Sequence, residues 1–183
     1  MHGGAVHRGG LLPALSAEKS GPMKKGTSGE ASLHVNVPPE KLYELVSDVT
    51  RMGEWSPETV RCRWLDGATG PAVGARFQGT NRRGFMRWST KPRVVAAEPG
   101  REFAFVVNLV IFQREMTKWR YQFERTADGG TDVTESFEMM NDLPWYISFS
   151  ERRLMGIEDR KADLEAGMQR TLERIKAVVE GSA

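Results

Sequence analysis

The stretch Thr117-Lys118-Trp119-Arg120-Tyr121-Gln122-Phe123-Glu124-Arg125-Thr126-Ala127-Asp128-Gly129-Gly130-Thr131-Asp132-Val133-Thr134-Glu135-Ser136-Phe137-Glu138-Met139 decides the fold. Two runs alternate apolar and polar with period two about an Asp-Gly turn, the strongest short-range signal of a β-hairpin. The spacing predicts strands over residues 117–126 and 131–139. Because successive side chains point to opposite faces, Trp119, Tyr121 and Phe123 share a side with Val133, Glu135, Phe137 and Met139. The other side carries Lys118, Arg120, Gln122, Glu124, Asp132, Thr134, Ser136 and Glu138, and faces water. One residue disturbs the inner face. A buried Glu135 has to be paired, hydrogen-bonded or neutral.

Outward from the hairpin the same period recurs. Leu33, Val35 and Val37 alternate with Ser32, His34 and Asn36 over residues 32–37, and Pro38-Pro39 ends that strand. Pro39 opens a helix whose apolar stripe is Leu42, Leu45 and Val46, over residues 39–49. A second short helix is expected over 50–55, stopped by Ser56-Pro57. Further strands are expected over 60–65, 75–81, 85–97 and 102–107. They are joined at 66–74, Arg82-Arg83-Gly84, Glu98-Pro99-Gly100 and a longer span around 111–115. After Met139 the period changes to that of a helix. Leu164, Met168, Leu172, Ile175 and Val179 line one face of residues 159–180, about six turns. The fold class is therefore α+β: a curved antiparallel sheet of about seven strands, two short helices after the first strand, and a long C-terminal helix lying across the sheet.

Composition narrows the function. The chain has 183 residues, 26 basic against 24 acidic side chains and a net charge of +2. Its mean hydropathy is −0.47, and no window approaches the ~18 uninterrupted apolar residues of a membrane span. Arg61, Arg76, Arg93, Arg120 and Arg152 are interleaved with acids and form no basic stripe, which argues against nucleic acid as a partner. Cys62 is the single cysteine and has no neighbouring His in sequence. His2, His7 and His34 form no ligand set, so no metal site, catalytic triad or phosphate loop is legible, and no cofactor is expected. Residues 1–29 contain seven Gly and two Pro without periodicity, and are read as a disordered tail preceding a domain at 30–181. Within the tail, Leu11-Leu12-Pro13-Ala14-Leu15 is too short and Pro-broken for a signal peptide, which favours a cytoplasmic protein. Met23 before Lys24-Lys25 is a second candidate translation start.

This order of elements, together with particular segments, resembles the START-like (SRPBCC) superfamily with its helix-grip fold, shared with the birch-pollen allergen. The branch it resembles is the bacterial polyketide cyclase/dehydrase and lipid-transport proteins. The segments are Val35-Asn36-Val37-Pro38-Pro39-Glu40-Lys41-Leu42-Tyr43, Met52-Gly53-Glu54-Trp55-Ser56-Pro57-Glu58 and Val73-Gly74-Ala75-Arg76-Phe77-Gln78-Gly79-Thr80-Asn81. They continue with Trp119-Arg120-Tyr121-Gln122-Phe123, Gly130-Thr131-Asp132-Val133-Thr134-Glu135-Ser136-Phe137-Glu138 and Gly167-Met168-Gln169-Arg170-Thr171-Leu172. The resemblance spans residues 31–180. It implies a cavity for a hydrophobic small molecule and supplies no universal catalytic residue.

The inner-face residues are then the candidate ligand contacts: Phe77, Asn81, Trp88, Phe103, Phe105, Trp119, Tyr121, Glu135 and Phe137 from the sheet, with Leu164 and Met168 from the long helix. Thr90 shares the side of Trp88, and Gly79 marks either a bend or a close approach. Glu135 either faces ligand or is satisfied by a structural partner. Three functions stay open. The first is binding or transport of a lipid or polyketide. The second is an aromatase/cyclase in which Glu135 moves a proton and Tyr121 or Asn81 stabilises an oxyanion. The third is a protein-interaction module of co-chaperone or ribosome-associated type. The segment Leu143-Pro144-Trp145-Tyr146-Ile147-Ser148-Phe149 reads as a lid, as a patch that touches a membrane or partner, or as a helix tucked against the sheet edge.

Overall fold

In the computed structural model, residues 23–109 and 114–181 are described. Eight strands form one antiparallel sheet: β1 Ser28–Val35, β2 Thr59–Trp64, β3 Phe77–Arg83, β4 Met86–Thr90, β5 Arg93–Glu98, β6 Glu102–Leu109, β7 Arg114–Arg125 and β8 Thr131–Met139. Their order across the sheet is β1-β8-β7-β6-β4-β3-β2, with β5 also paired to β6. The helices are α1 Pro39–Ser47, a 3-10 turn Val49–Glu54, α2 Trp145–Met155 and α3 Arg160–Glu180.

The central hairpin forms as the alternation requires. Tyr121 lies opposite Glu135, Trp119 opposite Phe137 and Phe123 opposite Val133. Pairing with Ala31 of β1 completes the row through Glu135.

Three expectations change. The expected strand over 85–97 is two strands, because Lys91-Pro92 interrupts it and Pro92 has no N–H to give to a ladder. Among the described residues β4 meets β6 at Thr90 and Leu109, while β5 pairs with the first half of β6. The strand count becomes eight.

The second change is at the start of the domain. β1 begins at Ser28, Gly26 N–H donates to the Met139 carbonyl, and Met139 N–H donates to that of Thr27. Met23 is buried against Met116, Phe137, Met139 and Met168. Residues 23–29, assigned from composition to the tail, thus belong to the folded domain: the end of β8, from Phe137 to Met139, needs hydrogen-bond partners, and these residues supply them. The rest of the expected tail, 1–22, lies outside the described residues, as do positions 110–113 of the span expected to link β6 to β7.

The third change is α2, a separate helix where the sequence left a choice of lid, surface patch or tucked extension. Gly156 ends it in the left-handed conformation, φ 67°. Trp145 and Phe149 face outward, while Ile147, Ser150, Glu151 and Met155 face inward.

α3 starts on an N-cap in which Asp159 accepts from the Ala162 N–H. Its two halves do different work. Leu172, Ile175 and Val179 join α1 residues Leu42 and Val46 and strand residues Phe103, Phe123 and Val133 in the main core. The N-terminal half, through Asp163, Leu164, Gly167 and Met168, stands over a hollow.

Candidate functional site

The hollow is a cavity of about 580 Å³ between the concave face of the sheet, α2 and the first half of α3. β3 supplies Phe77, Gly79 and Asn81, β4 supplies Trp88 and Thr90, β6 supplies Phe105, β7 supplies Trp119 and Tyr121, and β8 supplies Glu135. These residues fall on one side because the register pairs Asn81 with Trp88, Gly79 with Thr90 and Tyr121 with Glu135. Leu164 and Met168 face them from α3. Nine of the eleven residues named from sequence line the cavity, and two do not. Phe103 is fully buried under Tyr43 of α1, ring centroids 6.5 Å apart. Phe137 is buried in the methionine cluster and stacks at 5.8 Å on Trp119.

Sequence reasoning missed two sets. Six of the nine methionines, Met23, Met52, Met116, Met139, Met155 and Met168, line the wall. Methionine follows no periodicity of its own, so only the high count signals it, yet its flexible thioether makes the wall adaptable. The other set is a network of charges at the cavity rim. Arg83 donates to Asp163 through both terminal nitrogens, at 2.7 and 2.6 Å, and to Glu58 at 2.9 Å. Arg160 reaches Glu58 at 3.3 Å, Asp163 at 3.0 Å and Glu151 at 3.4 Å. The network ties the β3–β4 hairpin, the segment before β2, α2 and α3 together. Burial raises the Asp163 carboxyl, but the Arg83 hydrogen bonds and the Arg160 charge outweigh it and hold the group below its ordinary value. Burial wins at Glu151, which is raised against the pull of Arg160.

Deeper in the wall are two polar groups of different character. Asn81, 6% exposed, accepts from the Thr59 hydroxyl at 2.8 Å and donates to that of Thr90 at 3.4 Å. Glu135, 4% exposed, accepts from the Tyr121 hydroxyl at 2.7 Å through Oε1. Its Oε2 is buried with no hydrogen-bond partner among the described residues. Burial pushes the Glu135 carboxyl up to about 8, only partly opposed by the Tyr121 hydrogen bond. Burial and the nearby carboxyl likewise raise the Tyr121 phenol well above its ordinary value. Both groups are neutral at pH 7. Cys62 also touches the cavity, but burial pushes its thiol up to about 12, which leaves it without nucleophilic thiolate. Among the described residues no group of three His, Cys, Asp or Glu side chains is placed to hold a metal ion, and no helix is long and apolar enough to cross a membrane.

Residues 27–180 match the sequence profile of the family described as polyketide cyclase/dehydrase and lipid transport. The chain belongs to that family. Among solved structures, a polyketide-cyclase-like protein of Corynebacterium glutamicum is 35% identical, with a TM-score of 0.57 over 86% of this chain and 94% of that one. A protein of Mesorhizobium loti, 18% identical, gives a TM-score of 0.59 over 86% and 99% of the two chains. The di-domain ARO/CYC StfQ of the steffimycin biosynthetic pathway, 14% identical, gives 0.55 over 83% of this chain and 44% of its own. The last two show the shared fold alone. None of the curated proteins matches the sequence.

Proposed function

We propose that this family member binds a hydrophobic small molecule, lipid or polyketide-like, in the cavity between the sheet and α3. The observation that carries this reading is the cavity itself: about 580 Å³, in the range that encloses a drug-sized ligand, with a mainly apolar wall and a few convergent polar groups. The family description, which names lipid transport, supports it. Native mass spectrometry of the purified protein and titration with Nile red test it. A co-purified small molecule, or saturable enhancement of Nile red fluorescence, is expected. A ligand-free protein that gives no enhancement refutes the reading.

A catalytic reading has one specific observation in its favour. The Tyr121–Glu135 pair places a neutral carboxyl, with a pKa near the working pH, in a buried wall, the condition suited to a general acid. In that reading Glu135 protonates a ligand carbonyl as a carbon nucleophile adds to it, and Tyr121 stabilises the carboxylate left behind. Conversion of a linear poly-β-ketone by the wild type but not by Glu135→Gln is the outcome it requires.

A further inference from the structure

We propose that the cavity selects an uncharged ligand bearing a hydrogen-bond acceptor, a carbonyl or ether oxygen, seated on Glu135, and that it discriminates against carboxylates at that position. The inference rests on the binding reading above and specifies which ligands that site accepts.

Asn81 and Glu135 make different demands. At Asn81 the amide oxygen and nitrogen each already have a protein partner, Thr59 and Thr90. Glu135 differs: Tyr121 donates to Oε1, and Oε2 is buried in the wall with no hydrogen-bond partner among the described residues. In a neutral carboxyl that already accepts on one oxygen, the proton sits on the other. The pair therefore holds an O–H donor that no described residue satisfies, and a buried unpaired donor is costly. A ligand oxygen that accepts this hydrogen bond removes that cost. A pure hydrocarbon does not.

An anionic head group meets the opposite situation. The elements around Glu135 bring no cation to it. Ala31 lies opposite on β1 and Tyr121 on β7, and Phe103 follows on β6. Met168 and Thr171 of α3 line the same cavity. The rim guanidiniums of Arg83 and Arg160 are engaged by Glu58, Glu151 and Asp163. Arg170, the remaining basic residue of the wall, is solvent-exposed beside Gly167 and is not among the residues paired with Glu135. A carboxylate seated at Glu135 is a buried charge without a counter-charge.

Three naphthalenes of nearly equal shape separate the cases: 2-acetylnaphthalene, 2-ethylnaphthalene and 2-naphthoate, each competing against Nile red. The ratio of acetyl to ethyl affinity cancels the difference in their hydrophobicity when wild type is compared with variants. That ratio is expected to fall roughly tenfold in Glu135→Leu and to be largely retained in Glu135→Gln, whose amide still donates. In the wild type 2-naphthoate is expected to compete least well. A measurement that needs no variant is the carbonyl stretch of bound 2-acetylnaphthalene, expected at lower frequency than in hexane. An unshifted stretch, a ratio unchanged in a folded Glu135→Leu, or tightest binding of 2-naphthoate overturns the selectivity while leaving the binding site standing. Failure of Nile red itself to bind overturns the binding reading, and this inference with it.

Discussion

Replacing Glu135 by Gln should make the protein more stable at pH 7, although it alters a buried hydrogen bond. Below the ordinary carboxyl value of 4.5, Glu135 is protonated whether the chain is folded or unfolded, and its ionisation contributes nothing. As pH rises past 4.5 the unfolded chain releases the proton, while the folded chain, with the carboxyl held up to about 8, keeps it. Stability then falls by about 1.4 kcal/mol per pH unit, because the unfolded state binds fewer protons. At pH 7 the accumulated cost is roughly 3 kcal/mol, and above pH 8 it levels off as the folded form ionises too. Glutamine removes the ionisation and keeps an oxygen to accept from Tyr121, so a net gain of roughly 1–3 kcal/mol remains after about 1 kcal/mol is allowed for an imperfect hydrogen bond. For a domain of this size that raises the melting temperature by roughly 3–10 °C. Urea unfolding of both proteins at pH 5, 7 and 9, followed by far-ultraviolet circular dichroism, measures it. Other titrating groups, such as the raised His34 and Glu151, cancel in the difference. A variant less stable than wild type at pH 7, or a difference that does not widen between pH 5 and 8, shows Glu135 to be ionised and paired. The reasoning about its environment then fails.

Leu172 is fully buried in the main core, so Leu172→Asp inserts an unpaired charge and should cost upwards of ~4 kcal/mol, visible as loss of cooperative melting; an unchanged transition would mean α3 does not pack as described. A Cβ added at Gly167 meets only Pro57 Cγ at 3.8 Å and Arg170 Nη2 at 3.9 Å, and Gly167→Ala should therefore stabilise by about 0.5–1 kcal/mol in chemical denaturation. Arg83→Ala releases the β3–β4 hairpin from Asp163 and Glu58. The expected loss is about 1 kcal/mol, because the network is only partly buried. Stopped-flow release of Nile red should quicken several-fold; an unaltered rate would separate the rim network from ligand exit.

What the sequence could reveal depended on how local the determining physics was. The β7–β8 hairpin and α3 were legible because a strict period and an Asp-Gly turn act within a few residues. The break at Pro92 was also written in the chain, but the alternation over residues 85–97 outweighed it in the reading. Met23 is the opposite case. Its composition reads as tail, and its burial comes from β8 and α3, far along the chain. Alternation also tells only which side of the sheet a residue occupies. It cannot tell that Phe103 is covered by Tyr43 while Phe105 borders the cavity. The rim network was hidden for the same reason: Arg83 and Asp163 meet across 80 positions.

The division of α3 explains why the hollow persists. Its C-terminal half completes the core with α1, but its N-terminal half, through Leu164 and Met168, stands over the concave face of the sheet without filling the space beneath it. The hollow, of about 580 Å³, opens in part to solvent. The cavity is therefore filled, with water or with ligand. Water finds partners at Glu135, Asn81 and the rim, but none along Phe77, Phe105, Trp119 and the methionines. Displacing it from that wall favours an apolar ligand by about 0.8 kcal/mol per buried methylene. A bound molecule stabilises the fold by an amount that grows with the logarithm of its concentration over Kd, about 2.7 kcal/mol at a hundredfold excess. Protein stripped of apolar molecules by unfolding on a hydrophobic resin and refolding should melt several degrees lower than protein as purified, and Nile red should restore much of the difference. Identical melting of stripped, native and Nile red-loaded protein would mean that water fills the hollow as well as any ligand does.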